Sequence, residues 1–196
     1  MDSAPGMKTP HDRILAAARR VIPSRGLHEL SVQTVATEAG VTKSAIAYHF
    51  GNKDGLVLEL IGELAVQEGE EAQRVVGSIR DPAERLSAYL ALYRHLIQTS
   101  DHWRLAFALW PTSHLDEKAR QWDRIAATSL EALHLSPDDP SAQVLLSVLR
   151  AAIMGLAFMH ENRAPDVHIE ACFAQLEQAM LPVYLEAVAT AGRSRG

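Results

Sequence analysis

A single cysteine, Cys172, stands in 196 residues, so no internal disulfide can staple this chain. The composition points to a reducing compartment and a cytoplasmic location. No Gly-rich phosphate loop, no Gly-x-Ser-x-Gly elbow and no His-Glu-x-x-His metal motif occurs, which removes the enzyme classes that those patterns announce. Nothing sets a nucleophile, a base and an orienting group in readable order, and neither an enzymatic activity nor a cofactor is expected. The nine histidines do not change this. His95, His102 and His114 are the nearest group, yet none stands four residues from another His or Cys, so no metal site is expected. Cys172, on an apolar helix, reads as a small buried hydrophobe. No uninterrupted apolar run reaches the roughly 18 residues of a membrane span, and no secretory leader is visible. Residues 1–10 are polar and contain Pro and Gly, the composition of a disordered arm. A basic excess is also missing. Net charge is −5, with +1 over residues 1–60 and −6 over the remainder. That balance excludes a nonspecific nucleic-acid coat and leaves room only for locally placed cations.

What is present is helix, and residues 31–50 carry the most information. Ser31 is placed as an N-cap, and Leu30 and Val35 stand at the positions of a hydrophobic staple. Val35, Ala36 and Ala39 make an apolar stripe; Gly40 ends the helix where the chain must turn left-handed. Val41 plugs the turn, and Thr42 caps a second helix. Small Ala36 lets the two helices cross closely. At about 100° per residue, Ile46 and Phe50 share one stripe of the second helix, while Ser44 and Tyr48 point the other way. Lys43, Ala45 and Ala47 lie on the flanks. This is the pattern of a helix-turn-helix, with Val35, Ala36, Gly40, Val41, Ile46 and Phe50 as its core. Thr42, Lys43, Ser44, Ala47, Tyr48 and His49 then face or flank DNA. Hydroxyls, a methyl, a phenol and an ammonium suit base edges, thymine methyls and phosphates. Asn52 is placed to cap the helix that follows, and Lys53 beside that N-terminus suits a phosphate.

Residues 11–60 resemble the N-terminal domain of the tetracycline-repressor (TetR) family of transcriptional regulators. Arg13–Ala18 resembles that family's first helix and Arg25-Gly26 its end. Val35-Ala36, Ala39–Lys43 and His49–Leu56 resemble its helix-turn-helix and the entry to its fourth helix, without a gap. Two departures stand out. The family usually has Tyr where this chain has Ala47, a Tyr that commonly touches the DNA backbone; Tyr48 is placed to take over part of that role. Pro23 falls in the last turn of the first helix, where it removes a donor. The resemblance implies an all-α fold of about nine helices, with a helix-turn-helix domain at residues 11–55 and a helical ligand-binding and dimerisation domain at residues 56–196.

The remainder reads as helix throughout. Leu56, Leu60, Ile61 and Leu64 give the fourth helix one apolar face up to Gly77-Ser78. A fifth, from about Pro82, carries Leu86, Leu90, Tyr93 and Ile97. A short sixth begins at Ser100-Asp101 and ends near Pro111, and a seventh spans about Leu115 to His134. After the loop Ser136–Pro140, Ser141 caps an eighth helix that is apolar nearly all round. Ala164-Pro165-Asp166 breaks it, and Pro182 is expected to kink or shorten the ninth. A helix apolar on every side must be covered on every side. A four-helix interface between two subunits therefore follows for the eighth and ninth helices, through Ala151, Ala152, Gly155, Phe173, Leu176 and Met180. Two-fold symmetry then implies a near-palindromic operator. The concentration of Trp103, Phe107 and Trp110, faced by Tyr89, Leu92 and His95, suggests an aromatic pocket for a small apolar or cationic effector. Trp122, Met154 and Phe158 are further candidates. The expectation is an effector-responsive homodimeric repressor of double-stranded DNA; the alternative is a helical protein-interaction adaptor without DNA binding.

Overall fold

The computed structural model describes residues 9–25, 31–99, 103, 107, 125–162 and 168–193. Eight helical elements occur among them, and no strand. They are α1 (Pro10–Arg25), α2 (Val32–Ala39), α3 (Lys43–Phe50), α4 (Lys53–Val75), α5 (Pro82–Thr99), α6 (residues 125–132), α7 (Pro140–Glu161) and α8 (Ile169–Arg193). The described residues fall into two compact units, 9–64 and 65–193. The division lies inside α4, nine residues past the end of the expected helix-turn-helix domain. Of the expected arm, residues 1–8 lie outside the described residues, as do most of the sixth helix, the start of the seventh and Leu30 of the staple.

In the first unit every helix start is chemically marked. Thr9 Oγ1 accepts from the Asp12 amide at 3.2 Å while the Thr9 amide donates to the Asp12 carboxylate at 3.1 Å. This is a reciprocal capping box with Asp in the usual Glu position. The Thr9 bonds hold the Asp12 carboxyl below the ordinary range. Pro10 then occupies the first helical position, where its missing N–H costs nothing. Ser31 Oγ accepts from Thr34 N at 3.0 Å, Thr42 Oγ1 from Ala45 N at 3.2 Å and Asn52 Oδ1 from Gly55 N at 2.9 Å. The core is Ile14, Leu15, Ala17, Ala18 and Val21 of α1 closing on Val35, Ala36, Ile46, Phe50, Leu56, Val57 and Leu60. Polar contacts rim it: the ion pairs Arg19–Glu63 at 2.7 Å and Arg20–Glu38 at 2.9 Å, and His11 Nε2 against a Glu59 carboxylate oxygen at 2.5 Å.

In the second unit Leu86, Leu90, Tyr93 and Ile97 of α5 are buried, as their spacing requires, against Leu145, Leu146, Leu149, Ile153 and Ala157 of α7. Ile169, Phe173, Tyr184, Ala187 and Ala191 of α8 complete the core. A buried polar knot ties four segments. Arg85 donates to the Ile79 and Arg80 carbonyls at 2.8 and 2.9 Å and to Tyr184 Oη at 3.2 Å. Tyr184 Oη in turn donates to the Leu133 carbonyl at 2.8 Å. Neutral acceptors satisfy the guanidinium inside the core, which is the condition for burying it at all.

Three expectations change. The N-cap of α7 is Asp139, not Ser141: Pro140 takes the first helical position and the Ser141 amide donates to Asp139 Oδ1 at 2.9 Å. Pro182 does not shorten α8, which continues to Arg193. Pro182 and Gln178, the residue whose carbonyl loses its donor, are both exposed, so water can replace the missing bond. Finally, α7 has the length and mean hydropathy (1.8) of a membrane span once single polar residues are admitted, with 33 % of that window buried. Arg150 sits at its middle, and a core or interface helix meets the same criteria.

Tyr184→Phe removes one hydroxyl that serves both Leu133 and Arg85 and leaves each a partner short. The expected cost is about 1–3 kcal/mol, read as a lower midpoint in urea unfolding with an unchanged slope.

Candidate functional site

The helix-turn-helix is built around Gly40, whose φ of 64° and ψ of 39° lie in the left-handed region. There it lets the Val41 amide reach back to the Ala36 carbonyl at 3.0 Å, so α2 stops at Ala39 and α3 starts at Lys43. Val35 and Ile46 are fully buried, Ala36 and Phe50 nearly so, and Val41 is half-buried in the turn. At the far end Gly51 (φ 73°) closes α3, with its amide on the Ala47 carbonyl at 2.9 Å. Gly55 matters for a different reason. A Cβ there would stand 2.1 Å from the Phe50 carbonyl oxygen, so only glycine allows α4 to begin this close behind α3.

With Ile46 and Phe50 held inward, the opposite face of α3 is open. Tyr48 is 85 % exposed, and Thr42, Lys43, Ser44, Ala47 and Lys53 are all exposed. The Thr42 and Ser44 hydroxyls are 2.9 Å apart. His49 is half-buried rather than outward. Its ring meets Tyr48 edge-on at 5.1 Å and His11 at 5.9 Å, and His11 stacks on Phe50 at 4.9 Å. His49 therefore steadies the base of Tyr48, and His11 was invisible to periodicity because its contacts come from another helix.

Residues 14–60 match the family model described as bacterial regulatory proteins, tetR family. The match spans the helix-turn-helix and the start of α4, about a quarter of the chain. The chain is 29 % identical over 123 residues to the HTH-type transcriptional regulator BetI of Brucella anthropi, covering 61 % of this chain but only 62 % of that protein. Against the HTH-type transcriptional regulator LmrA of Bacillus subtilis it is 26 % identical over 180 residues, 84 % of this chain and 95 % of that one. A transcriptional regulator of Saccharomonospora viridis, solved in complex with choline, has a similar fold. The TM-score is 0.65 at 23 % identity, over 86 % of this chain and 93 % of that one. Both named relatives are described as HTH-type transcriptional regulators.

The second unit holds a cavity of about 20 Å³, room for roughly one water. Glu68, Tyr93, Trp103, Ile125, Arg150, Ile153 and Met154 line it. Of the residues expected in an effector pocket, it brings together Trp103 and Met154. Tyr89 is wholly buried and its ring lies 4.7 Å from that of Tyr93, one layer back. Burial pushes the ionisation of both phenols up, Tyr89 the further, so both are neutral at physiological pH. Leu92 and Phe107 pack half-buried on the core, His95 is exposed, and Phe158 is 52 % exposed with its edge on Phe107 at 5.4 Å. Trp110 and Trp122 lie outside the described residues. Glu68, Tyr93, Ile125, Arg150 and Ile153 were not anticipated. Of these only Arg150 left a signal, as the one charge within a long apolar stretch.

Among the expected interface residues, Ala151 and Gly155 are exposed and Ala152, Leu176 and Met180 half-buried. Phe173 is a correction: at 3 % exposure it belongs to the subunit's own core, because it faces α5 and α7 rather than the outside of α8.

Lys43 and Lys53 are exposed and outside the core, so Lys43→Ala and Lys53→Ala should leave the melting temperature unchanged. Each should lower the slope of log affinity against log salt on an operator duplex by about one unit, measured by fluorescence anisotropy between low and moderate salt.

Proposed function

We propose that this protein is an effector-responsive transcriptional regulator that holds a near-palindromic operator as a homodimer. One observation carries the reading: the face of α3 opposite buried Ile46 and Phe50 presents Tyr48, Ser44, Ala47 and Lys43 to solvent, with Lys53 at the next helix start. Those groups supply the mixture of phosphate, methyl and base-edge contacts that a major-groove helix uses. A protein of this kind works where the chromosome is, so the cytoplasm is its compartment. Family habit favours repression over activation.

Dimerisation is supported by an apolar stripe. Val144, Val148, Ala151, Gly155 and Phe158 recur at spacings of four and three along α7, and all are exposed. Val183 of α8 is also open, at 49 %. A contiguous apolar face of this kind marks an interaction surface, and Gly155, with nothing near where a Cβ would be, leaves room for a second helix to approach. A two-fold partner covers the face with its own copy and sets two α3 helices about one DNA turn, roughly 34–36 Å, apart. The relative that binds choline within a similar fold supports a small-molecule effector acting on the second unit. Such an effector releases or recruits DNA only by its difference in affinity for the two states. Nothing favours the adaptor alternative.

Selection of genomic fragments with the purified protein should return a short near-palindrome. On it Tyr48→Ala should weaken binding about tenfold or more with the circular dichroism spectrum unchanged; full affinity in that variant contradicts the docking. Val148→Glu should shift the protein from dimer to monomer on a sizing column and reduce operator affinity with it. A variant that stays dimeric places the interface elsewhere.

A further inference from the structure

We infer that His11, in the first turn of α1, is a positioning residue for Tyr48 in operator contact, given the docking of α3 proposed above. Tyr48 is 85 % exposed, so its own helix does little to fix its ring. Among the described residues its ring contact is with His49, met edge-on at 5.1 Å and 83°. Adjacent residues of a helix point about 100° apart and do not face one another, so His49 needs a restraint from outside α3. His11 supplies it. The two imidazoles meet edge to face at 5.9 Å and 75°, a favoured geometry for aromatic pairs.

His11 can support another ring because it is itself held on two sides. Stacking on Phe50, at 4.9 Å and 21° between planes, sets the plane of its ring, and Phe50 is only 8 % exposed. The contact of Nε2 with the Glu59 carboxylate of α4, at 2.5 Å, sets the rotation within that plane. A carboxylate accepts and does not donate, so the ring N–H donates there. Nδ1 lies 3.6 Å from Asp12 Oδ1, beyond a hydrogen bond. The backbone beneath is fixed as well: the Thr9–Asp12 capping box and Pro10 hold the turn that carries His11. A chain of rings, Phe50 to His11 to His49 to Tyr48, thus runs from the core of the first unit to the exposed phenol. Its use is entropic. A tyrosine free to change rotamer loses that freedom on docking, which weakens binding by roughly three- to tenfold. A ring wedged in advance escapes part of that loss.

Fluorescence anisotropy of the full-length protein on the selected near-palindrome is the test. His11→Ala and His11→Gln remove the ring, and each should weaken binding roughly three- to tenfold. His11→Phe restores a ring without the donor to Glu59 and should recover affinity to within about twofold of the unaltered protein. In a Tyr48→Ala background His11→Ala should cost nothing further, because the side chain it positions is gone. The slope of log affinity against log salt should stay the same in every His11 variant, since none removes a phosphate contact. Should His11→Ala unfold, His11→Gln, which keeps a donor for Glu59, carries the comparison. His11→Ala at full affinity overturns the inference. A loss of equal size with and without Tyr48, the mark of a loosened first unit or of a direct DNA contact by His11, overturns it as well. So does His11→Phe binding as weakly as His11→Ala, or a lower salt slope. Absence of operator binding by the unaltered protein, or full affinity in Tyr48→Ala, overturns the docking itself rather than the role of His11.

Discussion

Eight residues of α3 must serve two masters, and the rest of the first unit is arranged so that they can. Ile46 and Phe50 have to be buried to fix the helix, yet the same short helix must leave Tyr48 almost wholly in water. A helix of two turns has little intrinsic stability, so its hold comes from tertiary contact and from its ends. Thr42 caps the start, Gly51 turns the chain at the end, and Ala36 is small enough for α2 to lie close behind. Gly55 then lets α4 follow so tightly that any side chain would meet the Phe50 carbonyl. His11 adds a layer from α1, stacking on Phe50 while its Nε2 meets Glu59 of α4. These devices all set the angle at which one phenol and one hydroxyl face outward.

The second unit solves a different problem with the same materials. Its core is a conventional packing of apolar stripes, closed by the Arg85–Tyr184 knot that joins the start of α5, the end of α6 and the body of α8. Two features exceed what packing alone needs. Among the described residues, Glu68 and Arg150 line a cavity together with aromatic and aliphatic side chains, and an apolar stripe on α7 is left open to solvent. Each costs stability in an isolated subunit.

The helix-turn-helix was legible in the sequence because its determinants are local. Caps, the left-handed Gly40 and the opposition of Ile46 to Tyr48 follow from dihedral preference and a 3.6-residue period, and each recurs in the structure at the expected residue. The extents of α4 and α5 followed for the same reason. What periodicity could not supply was which apolar face meets which. Phe173 and Met180 lie on one helix, yet Phe173 is core and Met180 half-buried. Tyr93 read as one more core position, and Glu68 carries no periodic signal of its own; only three-dimensional contact makes them neighbours of Arg150. The α7 cap was missed by two residues because Pro at the first helical position moves the capping role back to Asp139.

The central claim is that two copies of α3 read one face of a duplex. Hydroxyl-radical footprinting on the selected operator measures this most directly. Two symmetric patches of protected sugars, centred about one helical turn apart on the same face of the DNA, are the expected result. A single unsymmetric patch, or protection spread evenly along the duplex, contradicts it.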